Sequence, residues 1–407
     1  MKRILHAIIF SLFSVVTVFG QSANNQPVIP GAERMNVYLP LLKGKAVAVF
    51  ANQTSLVKST HLVDTLLQSG INVVKIFGPE HGFRGNADAG EHVGDAKDAK
   101  TGIPVISLYG NHKKPTADDL KDVDVLVFDI QDVGVRFYTY ISSLQYYLEA
   151  ALENHKPLMI LDRPNPNGFY VDGPVLDTNF KSFIGMQPIP IVYGMTIGEY
   201  ALMLAGENWL SAKANAINAY NITTEPTADT PFHVTVIKCK NYDHKTKYIL
   251  PVNPSPNLRE MQSIYLYPST CLFEGTVVSL GRGTSFPFQV YGHPDYKGSD
   301  FSFTPRSVPG AKNPPLLNKK CYGVDLRNVS QEYIWENGFD LSYVIDAYKN
   351  LKMGDKFFTG FFEKLVGVDY VRQDIIAGKS AQEIKEKWYC DIVRFKQQRR
   401  PYLLYGE

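Results

Sequence analysis

The sequence predicts an α/β protein: an open, doubly wound, mostly parallel sheet followed by a second, smaller α/β domain. Two observations carry this. Short apolar runs alternate with helical patterns between residues 45 and 162, and after about Lys240 the chain becomes rich in Pro and Gly, with helices returning only near the C-terminus.

The apolar runs are KAVAVF (45–50), INVVKIF (71–77), IPVISLY (103–109), VDVLVFDI (123–130) and PLMILD (157–162). Continuous apolar runs of this length read as strands buried on both faces, the habit of parallel sheets. STHLVDTLLQSG (59–70) opens on a Ser/Thr cap and closes at Gly70, and YTYISSLQYYLEAALENH (138–155) places apolar residues at helical spacing. Strand alternating with helix makes βαβ units. The change of character after Lys240, marked by LPVNPSPN and SFPFQVYGHPDYKG, divides the chain into a first domain over 31–240 and a second over 241–407.

A chain of 407 residues is long enough for about two domains, and 44% hydrophobic with 20% charged residues is an ordinary globular balance. Lys and Arg number 42 against 40 Asp and Glu, a formal charge of +2 with no basic stripe, so nucleic acid is not an expected partner. Lys2 and Arg3 precede an apolar run to Phe19, with Val18 and Gly20 at signal-peptidase spacing, which predicts a signal peptide over 1–20, a linker over 21–30 and an exported, periplasmic or secreted protein. The run is short for a bilayer span, no later stretch looks transmembrane, and no cysteine follows the cleavage point, so no stable membrane insertion is expected after cleavage. Cys239, Cys271, Cys321 and Cys390 lie far apart without a CxxC pair, which gives structural zinc no support, although the compartment permits a disulfide.

Open α/β sheets bind ligands beyond the carboxyl ends of their strands. There the sequence sets Asn52 and Gln53, then Glu80 and His81, then Asp129, Gln131, Asp132 and Arg136, then Asp162, Arg163 and Asn165. No GxGxxG follows the first strand and no GxxxxGK[ST] occurs, so no nucleotide cofactor is expected. Asp129 and Asp162 have the plain alternative of capping the turns they precede. Glu80 is better marked. Pro79 fixes its turn and Gly82 and Gly85 allow a ligand close to the backbone, and a carboxyl group held and partly desolvated in this way suits general-acid work. His81 and His92 match no metal-ligand spacing, and hydrogen bonding is the expected role. Tyr138, Tyr140, Tyr146 and Tyr147 read as helix core rather than a sugar platform.

GPEHGFRG with DAGE, FDIQDVGVRFYTY, LDRPNPNG, YGMTIGEYA, LFEGTVVSLGRGT and PFQVYGHP, in this order along nearly the whole mature chain, resemble the exo-β-N-acetylmuramidases of the NamZ type, glycoside hydrolases acting on peptidoglycan fragments. The resemblance implies a Rossmann-like N-terminal domain, a smaller C-terminal domain, a cleft at their interface, and release of N-acetylmuramic acid from non-reducing ends. The expected partners are muropeptides or MurNAc-GlcNAc oligosaccharides, and the missing glycine fingerprint and metal-ligand spacing predict no cofactor. The resemblance assigns Glu80 as catalytic acid with His81 beside it, and sets Glu274 as the other carboxylate in a motif block. Asp129, Gln131, Asp132 and Arg136 fall in the second block and Arg282 in GRGT, and Arg163 and Asn165 complete the cleft candidates. Tyr193 stands where His is expected in many relatives, and no chemistry is assigned there. Glu199 can serve simply to orient a helix.

β-Glycoside hydrolysis needs a proton donor and either a second carboxylate or the substrate's own acetamido group. The lactyl carboxylate of muramic acid calls for a cation, with Arg84, Arg136, Arg163 and Arg282 as candidates. Two rival readings are a metal-dependent esterase or phosphatase using His81, Asp88 and His92, and a non-catalytic envelope protein that binds muropeptides.

Overall fold

The computed structural model of the chain describes residues 26–80, 82–83, 96–217, 222–224, 226–227 and 233–407. The expected signal peptide and most of the linker lie outside these residues, as do His81, Arg84, Asp88, Glu91 and His92.

The first half is organised by one sheet of eight strands: β1 (Ala46–Ala51), β2 (Asn72–Gly78), β3 (Ala96–Lys97), β4 (Pro104–Ser107), β5 (Val125–Asp129), β6 (Leu158–Leu161), β7 (Ile222–Thr223) and β8 (Val234–Ile237). Their order is β3-β4-β2-β1-β5-β6-β8-β7, with β1 central, and every pairing is parallel except the short edge pair β3–β4. Side chains alternate across this sheet. Val47, Val49, Val125, Val127, Met159 and Leu161 share a core with Tyr38, Leu41 and Leu42 of α1 (Met35–Leu42) and Leu62, Val63 and Leu66 of α2 (Leu62–Gln68). Ala48, Phe50, Leu126, Phe128, Leu158 and Ile160 belong to the other core, with Ile141, Leu144, Tyr147 and Leu148 of α3 (Tyr140–Glu153) and Met203 and Leu204 of α4 (Ile197–Gly206).

That second core runs on without a break into the C-terminal half, taking in Tyr267, Phe273, Phe288, Phe357 and Trp388. The two halves are therefore packed as one body at their junction. The C-terminal half contains α5 (Met261–Thr270), a 3-10 turn over Cys271–Gly275, an antiparallel sheet of β9 (Val290–His293), β10 (Ser302–Phe303) and β11 (Cys321–Asp325) in the order β9-β11-β10, and a run of helices ending in α6 (Tyr389–Arg399). The last residues return to the first half. The backbone N–H groups of Leu404 and Tyr405 donate to Glu199, and the Tyr405 hydroxyl donates to Asp162 at 2.6 Å.

Three local readings need correction. Helices return early in the second half, with α5, rather than only near the C-terminus. The third expected strand covers only Pro104–Ser107. The cap of α2 is not Ser59 or Thr60, because Thr60 pairs in a tight hairpin (Leu56–Val57 with Thr60–His61) and the His61 ring instead accepts from the Val63 N–H. All four cysteines are free, and no helix among the described residues is long and apolar enough to cross a membrane.

Candidate active site

Strand β2 delivers Glu80. The chain leaves Gly78, turns at Pro79, and closes the turn with a 2.9 Å bond from the Gly82 N–H to the Pro79 carbonyl, with Gly82 in the left-handed region at φ 74°. Glu80 is half-buried and both carboxyl oxygens are held. The Tyr109 hydroxyl, just past β4, donates to Oε1 at 3.0 Å, and the Thr139 hydroxyl, just before α3, donates to Oε2 at 3.1 Å. Burial and the Glu80 charge raise the Tyr109 phenol well above its ordinary range, so it remains a donor.

These groups line a cavity of about 290 Å³ whose opposite wall comes from the C-terminal half through Tyr267, Glu274, Arg282, Phe288 and Phe361. Glu274 sits on the 3-10 turn after α5. Gly281 and Gly283, at φ 85° and 80°, flank Arg282; a Cβ at Gly283 would stand 2.4 Å from the Arg306 carbonyl oxygen. Arg282 donates from Nε to Glu274 Oε1 at 2.7 Å, its Nη2 lies 2.5 Å from the same oxygen, and its guanidinium lies over the Phe288 ring. Burial works against the guanidinium's charge, but Glu274 more than restores it. Between the two walls, the loop before α5 closes one side. Pro254 O accepts from Tyr138 at 2.8 Å and Gln53 at 3.1 Å, while Ser255 and Leu258 face the cavity. Asn52 donates to the Tyr140 hydroxyl, so the end of β1 supports the wall from behind.

The structure thus brings Glu80, Glu274 and Arg282 to one cavity. The other described candidates lie behind its wall. Arg163 and Asp129 form a buried two-point ion pair at 2.6 and 2.9 Å, and Arg163 also donates to the Leu56 carbonyl. Arg136, fully buried, donates to the carbonyls of Pro174, Ile189, Leu365 and Val366, which ties the first half to the second. Gln131 donates to the Asp132 and Pro164 carbonyls, and Asn165 donates to Met195 O and packs against Gly134. Asp132 accepts from the Tyr193 hydroxyl and the Gly134 N–H; burial nevertheless pushes its carboxyl up to about 6. The position lacking the expected His therefore holds a phenol bonded to this carboxylate. Glu199 belongs to the capping box of α4 and also meets His244 at 3.1 Å.

Sequence reasoning missed Tyr109 and Thr139, although Tyr109 ends the third apolar run and the strand-end rule reaches it. Tyr138 and Tyr140 are core residues as expected, at 8% and 2% exposure, yet they also line the cavity. Among the described residues no group of three His, Cys, Asp or Glu side chains is arranged to hold a metal ion.

Residues 47–262 match the family described as exo-β-N-acetylmuramidase NamZ, N-terminal, and residues 265–405 match its C-terminal counterpart. The peptidoglycan β-N-acetylmuramidase NamZ of Bacillus subtilis (strain 168) is 37% identical over 438 residues, spanning 100% of both chains. A crystal structure of a DUF1343 family protein from Bacteroides fragilis NCTC 9343 is 55% identical with a TM-score of 0.84, covering 94% of this chain and 100% of its own. A second DUF1343 structure from the same organism is 28% identical with a TM-score of 0.75, covering 93% and 99%. With both halves of the family matched in sequence along one chain, the protein belongs to the NamZ exo-β-N-acetylmuramidase family.

Proposed function

We propose that the chain is an exo-acting β-N-acetylmuramidase that removes terminal non-reducing N-acetylmuramic acid from peptidoglycan fragments, in the compartment to which its N-terminal segment exports it. The observation that carries this reading is Glu80, a carboxyl group fixed at both oxygens and aimed into an interface cavity whose far wall holds a second carboxylate and an arginine. In this reading Glu80 protonates the glycosidic oxygen as the bond to the anomeric carbon breaks, and water finally supplies hydroxyl to that carbon and a proton back to the enzyme. Glu274 is the second carboxylate at the cavity. Arg282 is the one cation lining it among the described residues, and it is the partner proposed for the lactyl carboxylate. Asp129, Gln131, Asp132, Arg136, Arg163 and Asn165 act at one remove, by holding the loops that carry the wall. His81 and Arg84 are neighbours of Glu80 in sequence and remain candidates on that ground.

The test compares a chromogenic β-N-acetylmuraminide with the matching β-N-acetylglucosaminide and follows chain length during digestion of glycan strands. Preference for the muraminide with release from chain ends supports the reading; equal rates or rapid mid-chain cleavage overturn it. Turnover is expected without added nucleotide or divalent ion, and complete loss in EDTA restored by one metal would instead favour the metal-dependent hydrolase.

A further inference from the structure

Next to the Glu80 cavity lies a larger one of about 580 Å³, lined entirely by the C-terminal half. Both cavities include Glu274, Arg282 and Phe361 in their walls. The ion pair and the phenylalanine thus stand at the junction of two adjoining chambers. At about 290 Å³ the Glu80 chamber lies at the small end of ligand sites, which run roughly 300–1,000 Å³, and the second chamber has twice its volume. A terminal sugar cleaved beside Glu80 leaves the rest of its chain to be housed elsewhere.

The lining suits that cargo. Phe361 is a large apolar side chain left 37% exposed at the junction. A pyranose ring presents an apolar C–H face that an aromatic ring can cover, and a rim of hydroxyls that needs polar neighbours. Val278, Leu280 and Pro314 supply further apolar surface, and Thr276 and Asn313 supply polar groups.

We propose that the larger chamber binds the leaving-group side of the substrate: the β-linked N-acetylhexosamine released from muramic acid and the sugar beyond it, with Phe361 as the stacking surface for the first. This rests on the muramidase reading above. It requires that catalysis improve as the substrate extends past the first leaving-group sugar.

The experiment measures initial kcat/KM for a 4-nitrophenyl β-N-acetylmuraminide, a muramyl-glucosamine disaccharide and the tetrasaccharide with muramic acid at its non-reducing end. In wild type the efficiency should rise from the disaccharide to the tetrasaccharide, which share one kind of leaving group, while the aryl glycoside, with its activated leaving group, reports the amount of active protein. Asn313→Trp, at an exposed position, fills the chamber, and it should lower the ratio of tetrasaccharide to aryl efficiency by about tenfold or more; Phe361→Ala should lower it several-fold. The ratio separates loss of the chamber from general loss of active protein, which lowers all three rates together. A wild-type enzyme no better on the tetrasaccharide than on the disaccharide overturns the proposal, as does an unchanged ratio in both variants. Failure of wild type to turn over any of the three overturns the muramidase reading itself.

Discussion

The cavity wall and the layer directly behind it are built from the same kinds of charged residue, and Glu80 of the wall follows a strand of the same sheet as Asp129 behind it, yet their chemistry differs. Behind the wall, Asp129 is paired with Arg163, Asp132 with Tyr193, and Arg136 with four backbone carbonyls, all at 5% exposure or less for the charged members. At the wall, Glu80, Glu274 and Arg282 are half-buried, and each lines the cavity while also holding hydrogen-bond or ion-pair partners. Charge at a strand end is thus not sufficient for a site. What distinguishes the two layers is whether the polar group retains a face that a substrate can reach.

The largest expected effect breaks the rear layer. Asp129→Ala strands the Arg163 guanidinium in the interior, and loss of one partner from a buried pair costs about 3–5 kcal/mol. Urea unfolding should show this loss, whereas a change below about 1 kcal/mol would mean that the pair is not a structural element.

Next comes Glu80→Gln, which keeps the shape and one of the two acceptor oxygens but removes the transferable proton. A folded Glu80→Gln protein should lose on the order of 10²-fold or more in kcat with little change in its unfolding midpoint. Near-normal turnover would move the acid role away from Glu80, with Glu274 the next carboxylate to test.

These two expectations also define what could be read in the sequence. The strands of the first half were legible because apolar runs buried on both faces announce themselves, and Glu80 was legible because Pro79 and the following glycines make its turn rigid and approachable. Asp129 carried the same strand-end signal as Glu80. Only the pairing of β5 with β6, which sets the residue after Asp162 beside Asp129, turns it into half of an internal pair. The C-terminal half was legible only as punctuation, because β10 has two residues and β9 four, too few for periodicity to show. Phe361 had no signal at all; its role depends on the chain returning to a cavity assembled from segments far away in sequence.

A smaller effect is expected at Arg282. Arg282→Leu leaves an apolar stem on Phe288 and removes the charge-assisted bonds available to a carboxylate. It should reduce the preference for muraminide over glucosaminide by roughly tenfold to a hundredfold, the scale of one hydrogen bond to a charged group. An intact preference would hand recognition of the lactyl group to another residue.

The smallest effect separates the two layers by pH. Burial lifts the Asp132 carboxyl from its ordinary 3.8 to about 6 in the folded protein. Between those values the folded state holds a proton that the unfolded state has released, so this group's contribution to stability falls as pH rises through the window and stays reduced above it. Other carboxylates slope the opposite way; Asp374, for example, is held below its ordinary value against burial by Lys379 and Lys387. The informative quantity is therefore the difference between wild type and Asp132→Asn. Asn retains an acceptor for Tyr193 and the Gly134 N–H but cannot ionise. Relative to this variant, wild type should lose on the order of 1–2 kcal/mol between pH 4 and pH 7, measured by urea unfolding at each pH. Because Asp132 lies behind the wall, the pH profile of kcat should keep its shape in the variant. A flat stability difference would show that the carboxyl is not elevated, and a displaced kcat profile would place Asp132 among the groups that act on the substrate, which would erase the distinction between the two layers.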